Sequence, residues 1–364
     1  MSDLVDLPAV EQRRLIEART VSAQELLAAH LDRIDAAAVN GSVNAVVALD
    51  AEVAGRRAAA VDDALANGVE VGPLAGLVTA HKDLTETADF PTTYGSPLFA
   101  GFRPPADSLV VARMRAAGAV ALGKTNTPEF GAGSHTFNPV YGTTRNPYGL
   151  DRSAGGSSGG AAAALACGMV AVADGSDMGG SLRNPAAWNN VVGVRTTPRL
   201  VPAVGPGNRW STLAMADVKA TVQDEVRRGR ALDAQSIARA YDQLGALWRR
   251  AAAFFSRYDL LVAPVTQLAP FPAEWEYPAR VAGVEMGSYI EWMAACWRIT
   301  VLGTPTLSLP AGFDDAGLPV GAQLIGRHGG DVDLLRAASV LEAAPEHHRR
   351  RPPVVGAAAP EVSA

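Results

Sequence analysis

Two serines set among glycines are the residues of this chain best equipped for chemistry. Ser157 lies in Gly155-Gly156-Ser157-Ser158-Gly159-Gly160, and Ser181 follows in Gly179-Gly180-Ser181-Leu182-Arg183, with an alanine-rich segment between them. Glycine neighbours present no side chain to an incoming substrate and permit unusual backbone geometry, so a substrate carbonyl could come within reach of exposed amide N–H groups. Acyl transfer needs that arrangement. Gly-Gly-Ser-Ser-Gly-Gly is also the composition of a flexible linker. Here, however, it runs directly into the apolar helix-forming run AAAALAC at 161–167, ended by Gly168, and then into 169–173, which reads as a short buried strand.

A serine hydroxyl needs a base. Gly155-x-Ser157-x-Gly159 matches the G-x-S-x-G nucleophile elbow, which requires a strand before it and a histidine after it. The preceding RNPYGLDRSA, 145–154, reads as turn-rich and not as a strand. The only histidines that follow are His328, His347 and His348, the last two among arginines and prolines. A second pattern, Gly118 to Thr125, satisfies G-x-x-x-x-G-K-[ST] letter for letter. Its AVAL run is strand-like where a phosphate-cradling loop should be, and Asn126-Thr127-Pro128 interrupts the helix that should follow.

Lysine is the remaining candidate, because burial makes an ammonium easy to deprotonate. Lys82 sits in GLVTAHKDL, 76–84, which reads as a buried strand entering a loop. On period-two alternation it shares a side with Ala80 and Val78, while His81 and Asp83 point the other way. The competing reading is a salt bridge to Asp83 or Glu86, or a lysine lying along the surface. For Lys124, which is read as following a strand and is flanked by small polar residues, that ordinary reading is stronger.

Taken together, HKDL at 81–84, GGSSGG at 155–160 and GSDMGGSLRNPA at 175–186 resemble the amidase signature family. The likeness continues through AAGAVALGKTNTPEFG, YGTTRNPYGLDRSAGG, VVGVRTTP, YDLLVAPVTQ, ITVLGTPTLSLPAGF and GLPVGAQLIGR. The resemblance implies a Ser-cis-Ser-Lys amide hydrolase, with Lys82 as base, Ser157 as proton relay after a cis Gly156-Ser157 bond, and Ser181 as nucleophile. It places an oxyanion hole on the backbone N–H groups of Met178, Gly179, Gly180 and Ser181. Ser158, Asp177 and Arg183 become supporting candidates, the alternative being a structural role in which Asp177 simply pairs with Arg183 or caps a turn. No metal and no cofactor are implied. The activity implied is hydrolysis of a carboxylic amide to acid and ammonia or amine through an acyl-enzyme. The alternative is an inactive or partner-dependent relative, such as the amidase subunit of a tRNA-dependent amidotransferase.

The elements that must position these groups read as α/β, a mixed sheet covered by helices on both faces, and the resemblance implies that this is the amidase signature fold. Ser22 and Glu25 form a capping box for a first helix, 51–66 gives a second and 107–117 a third. Helices at 217–230 and 233–257 follow, the latter with Ile237, Tyr241, Leu244 and Trp248 on one side, expected over the sheet as part of a pocket wall. Tyr277, Tyr289, Trp292, Met293, Cys296 and Trp297 read first as core. The chain is expected as a single domain over 1–364, with a helical part at 1–75, the catalytic core at 76–215, a helical segment at 216–257 and an α/β part at 258–345. Family members are longer, and the likeness jumps near 215–219, where a block of helix and strand is missing.

Composition bounds the rest. With 364 residues, 48% of them apolar, and a net charge of -5, the chain reads as soluble and globular, unlike a nucleic-acid binder. The arginines at 227–230 and 349–351 read as solvated faces. Cys167 and Cys296 form no disulfide framework, and 1–10 carries no apolar leader. The expectation is a cytoplasmic protein acting on a small-molecule amide, with no nucleic acid, no membrane, and a homodimer left open.

Overall fold

The computed structural model describes residues 4–35, 39–201, 218–343 and 347–356. The residues from 215 to 217, at the jump in the family likeness, lie outside them. Helix α1 (Ala9–Glu17) leads to α2 (Ala23–Asp35). The capping box forms as its spacing predicts: Glu25 N–H donates to Ser22 Oγ at 3.0 Å and Ser22 N–H to Glu25 Oε2 at 2.8 Å. After α3 (Val39–Val43) and β1 (Val46–Leu49), α4 (Ala51–Ala66) starts at Asp50, whose side chain accepts from Val53 N–H. Ala54, Ala58 and Val61 form its buried stripe.

Strand β2 (Val78–Lys82) is buried along its whole length, and α5 (Leu109–Ala116) leads into β3 (Val120–Thr125). Two short hairpins follow, β4 (Phe137–Asn138) with β5 (Gly142–Thr143) and β6 (Arg145–Asn146) with β7 (Gly149–Ser153). The second corrects the reading of 145–154 as turn without strand. Asn146, Pro147 and Tyr148 do supply the turn, with Asn146 Oδ1 accepting from Tyr148 N–H, but it closes a ladder. That hairpin pairs with neither larger sheet. Helix α6 (Gly159–Ala166) and β8 (Val172–Ala173) then complete a four-stranded sheet in the order β1-β3-β2-β8. In it β2 runs parallel to β3 and β8, and β1 is antiparallel to β3. Ile16, Leu26, Val78, Val120, Leu122 and Met169 belong to the core around this sheet.

Helix α7 (Arg183–Trp188) and β9 (Gly193–Arg195) precede α8 (Ala220–Arg230) and α9 (Ala234–Phe255). Beyond them lie β10 (Leu261–Pro264), a small ribbon of β11 (Arg280–Val281) and β12 (Val284–Glu285), and helices α10 (Tyr289–Trp292) and α11 (Ala294–Thr300). The chain continues through β13 (Thr306–Phe313), β14 (Pro319–Ile325), α12 (Asp331–Ala343) and α13 (Pro353–Gly356). The second four-stranded sheet is antiparallel, in the order β10-β14-β13-β9. Leu307, Leu309 and Leu324 face α12 through Leu334 and Ala338. The opposite face is pared to Gly193 and Gly321, where an added Cβ would come within 2.6 Å of Ala186 and Ala187 of α7. The fold is thus mixed α/β with helices on both faces, its main strands divided between two sheets.

Two further expectations need correction. Helix α9 forms with Asp233 as its cap, but none of its residues is buried: Ile237 is 46%, Tyr241 70% and Trp248 49% exposed. An amphipathic stripe shows that a face is apolar, not what covers it. Lys124 is no surface lysine either. It lies on the inner strand β3, fully buried, with its ammonium donating to Thr85 O and Thr92 Oγ1. Burial lowers its pKa to about 8, opposed chiefly by the charge of Asp83. Gly123 beside it is equally committed to the sheet, since a Cβ there would fall 1.9 Å from Ala48 O. The six aromatic and sulfur residues from 277 to 297 do pack as core, with Trp292 stacked on Trp188 at 5.3 Å.

Candidate active site

Lys82 is the last residue of β2, so strand alternation turns its side chain away from that of His81 and the strand's end delivers it to the loops beyond. Its Nζ donates to Ser157 Oγ at 2.7 Å, Ser158 Oγ at 2.8 Å and Ser176 Oγ at 3.0 Å. Three hydroxyls match the three donors of an ammonium, and all of them are neutral. The salt-bridge alternatives do not form: Asp83 accepts from Thr93 N–H and Oγ1–H, and Glu86 accepts from the Tyr94 hydroxyl. Lys82 is fully buried. Burial brings its pKa down to about 7, against the pull of the Asp174 and Asp177 carboxylates. A large fraction of neutral amine is therefore present near neutral pH.

Ser157 reaches the lysine from the loop before α6. The Gly156-Ser157 bond is cis, as the resemblance implied. Gly156 is hemmed in, because a Cβ there would meet His135 N at 2.8 Å and Ser134 C at 2.9 Å. Ser181 stands beside this loop, its carbonyl accepting from Ser158 N–H at 3.1 Å. Among the described residues the two hydroxyls of Ser157 and Ser181 are not hydrogen-bonded to each other. Links of that kind are often long before substrate binds. Ser181 is 9% exposed against 2% for Ser157 and 0% for Lys82, so access to solvent rises along the row.

The backbone before Ser181 is shaped by Asp177. Its carboxylate accepts from Gly180 N–H at 2.8 Å, Leu182 N–H at 3.2 Å and Arg183 N–H, and makes a two-pronged pair with Arg183 at 2.9 Å to both Nε and Nη2. Both side chains are wholly buried. Ion pairing accounts for Asp177 and Arg183, and it also fixes the loop. Arg183 is held in turn by Cys296 O, Gln323 Oε1 and Thr300 Oγ1. One expectation changes as a result: the Gly180 N–H is committed to Asp177, while those of Met178, Gly179 and Ser181 have no protein acceptor among the described residues. Met178 itself is 88% exposed at the rim.

Gly180 has another task. Its φ is 134°, and a Cβ there would lie 2.7 Å from Cys296 Cβ and 3.0 Å from Asn184 Nδ2, whereas at Gly179 the nearest atom is Trp297 Cβ at 3.7 Å. Gly180→Ala should displace the loop and lower turnover by about 100-fold, with Gly179→Ala leaving the melting temperature unchanged. Steady-state rates and thermal melts of the two variants check this.

Three residues near the site escaped the sequence reading. Ser176 shares the lysine's ammonium, Asp174 binds the end of β2, and Arg195 donates from Nε to Asp177 O at 3.3 Å. Ser176 and Asp174 lie in or beside the Gly175–Ala186 peptide that carried Ser181, so their polarity next to a buried strand was the available signal. No helix among the described residues is long and apolar enough to cross a membrane.

A family model named Amidase matches residues 25–227 and 214–335, two segments that overlap where the sequence likeness jumps. The A subunit of the glutamyl-tRNA(Gln) amidotransferase from Acidothermus cellulolyticus is 51% identical over 197 residues, covering 54% of this chain and 39% of that protein. The protein of the same name from Corynebacterium jeikeium is 45% identical over 216 residues, covering 59% and 42%. The chain thus spans about two fifths of the length of these curated relatives. Among solved structures, a bacterial aryl acylamidase of the amidase signature enzymes is 23% identical with a TM-score of 0.85, covering 94% of this chain and 97% of that one. The peptide amidase of Stenotrophomonas maltophilia is 24% identical with a TM-score of 0.74, covering 95% and 98%. These two establish likeness of fold.

Proposed function

The chain belongs to the amidase signature family, and from that premise we propose that it hydrolyses a small carboxylic amide through an acyl-enzyme on Ser181. In this reading neutral Lys82 takes a proton from Ser157 as Ser157 takes one from Ser181, and Ser181 Oγ attacks the amide carbon. The oxyanion meets the N–H groups of Met178, Gly179 and Ser181. The proton returns by the same path to the departing nitrogen, ammonia or amine leaves, and water then releases the acid. The observation that carries the reading is the shell around Lys82, a buried amine whose three hydrogen-bond acceptors are all hydroxyls. The same reading takes 1–364 as one domain with its catalytic core at 76–215.

The test is a panel of simple amides followed by ammonia release, together with a serine-directed fluorophosphonate and mass spectrometry of the labelled peptide. Label on the peptide carrying Ser181 supports the reading. Label elsewhere, or none with the folded chain, overturns it. The identity to amidotransferase A subunits favours a second reading, in which the amide is glutamine and the ammonia passes to a partner protein. It expects Ser181 to be labelled while the isolated chain hydrolyses glutamine slowly and leaves simple amides untouched.

A further inference from the structure

We infer that Asp174, oriented by His81, is a positioning residue for Lys82, fixing the end of β2 from the side opposite the serines. The inference rests on the proposed role of Lys82 as base. Asp174 directly follows β8, whose parallel register with β2 sets Ala173 beside Ala80 and so brings residue 174 level with His81. Its side chain is 8% exposed. Oδ1 accepts from His81 Nδ1 at 2.8 Å and from the backbone N–H of Lys82 at 3.3 Å, and Oδ2 accepts from Thr85 Oγ1 at 2.7 Å. One carboxylate therefore grips three points of the turn that ends β2, a turn closed by Thr85 N–H donating to Lys82 O. Two residues on, Ser176 accepts from the lysine's ammonium. The segment 174–176 thus holds Lys82 at both its backbone and its tip.

The same carboxylate carries charge next to the amine. Its pKa lies below the ordinary carboxylate value although burial works the other way, because His81, Thr85 and Lys124 favour the anion. Besides Asp174, the charged group facing Lys82 is Asp177, neutralised by Arg183 with Arg195 nearby, while Asp83, next to Lys82 in the chain, is turned away toward Thr93 and Lys124. His81, buried on the far side, lines a small cavity with Arg57, Asp89 and Arg115. A fixed negative charge here holds the proton on Lys82 more tightly than burial alone would. Removing that charge while keeping the shape must move the protonation midpoint of Lys82 downward.

The experiment measures the rate of Ser181 phosphonylation by a fluorophosphonate against pH, which needs no knowledge of the substrate. For Asp174→Asn the acid limb should shift at least about half a pH unit lower, with the plateau rate within tenfold of wild type. Asp174→Ala should lose the plateau as well. A purely structural residue would lower the plateau without moving the limb, so an unmoved midpoint in a folded Asp174→Asn protein overturns the inference alone. An unlabelled wild type overturns the reading of the site and the inference with it. A second measurement needs no substitution: nitrogen NMR of labelled histidine must find the His81 proton on Nδ1 throughout the acid limb. An Nε2 tautomer with bare Nδ1 would refute the inference.

Discussion

With Ser181 as the proposed nucleophile, Ser181→Ala should leave a folded protein whose amide hydrolysis falls on the order of 10⁶-fold, the scale seen when a serine hydrolase loses its nucleophile. The expectation of a folded variant is as important as the loss. Ser181 holds its neighbour through a backbone carbonyl, to which Ser158 N–H donates, and the hydroxyl is the most solvent-reached of the three proposed catalytic side chains. Removing it therefore takes away chemistry while the loop, clamped by Asp177 and Arg183, stays in place. Ser157→Ala should differ, because it also strips one of three acceptors from a buried amine. Its melting temperature should drop where that of Ser181→Ala does not. Paired rate and melting measurements separate the two serines, and hydrolysis persisting unchanged in Ser181→Ala would refute the nucleophile assignment.

The parts of the site legible in the sequence are those whose cause is local. Alternation along 78–82 is enough to send Lys82 and His81 to opposite sides, and burial then follows from the apolar strand around them. The capping box at Ser22 is equally local, as is the helix at 159–166 after the serine loop. Asp174 is not legible. Its partners lie about ninety positions upstream, and only the parallel pairing of β2 with β8 brings them together. Gly180 misleads for a related reason, since glycine's freedom suggests an open N–H whereas the carboxylate of Asp177 folds back onto it. Lys124 reads as ordinary because its small polar neighbours look like surface, yet β3 is an inner strand. The stripe on α9 shows the limit from the other side. Its periodicity correctly gives a helix, while its burial depends on chain that must lie against it, which periodicity does not encode.

Lys82→Met should lower hydrolysis by about 10⁴-fold or more and should also remove one component of the protein's pH-dependent stability. In the proposed mechanism the active form requires the neutral amine, so the wild-type rate should climb through about pH 7, where the pKa of Lys82 lies. The residual rate of the variant should lack that limb. The sign for stability follows from the same displacement. In the folded chain the amine is neutral above about 7, whereas the unfolded lysine keeps its proton up to its ordinary value of 10.5. Between those limits the unfolded state binds one proton more, so stability rises with pH, by about 1.4 kcal/mol per pH unit from this group. Below pH 7 both states carry the proton and the contribution is flat, with the cost of burying the charge present in full. Methionine, similar in length and uncharged, removes that cost at every pH. Unfolding midpoints in denaturant from pH 6 to 10 should therefore rise more steeply for wild type than for Lys82→Met. Parallel curves would mean that Lys82 is not the group titrating near neutrality, and the base would have to be sought elsewhere.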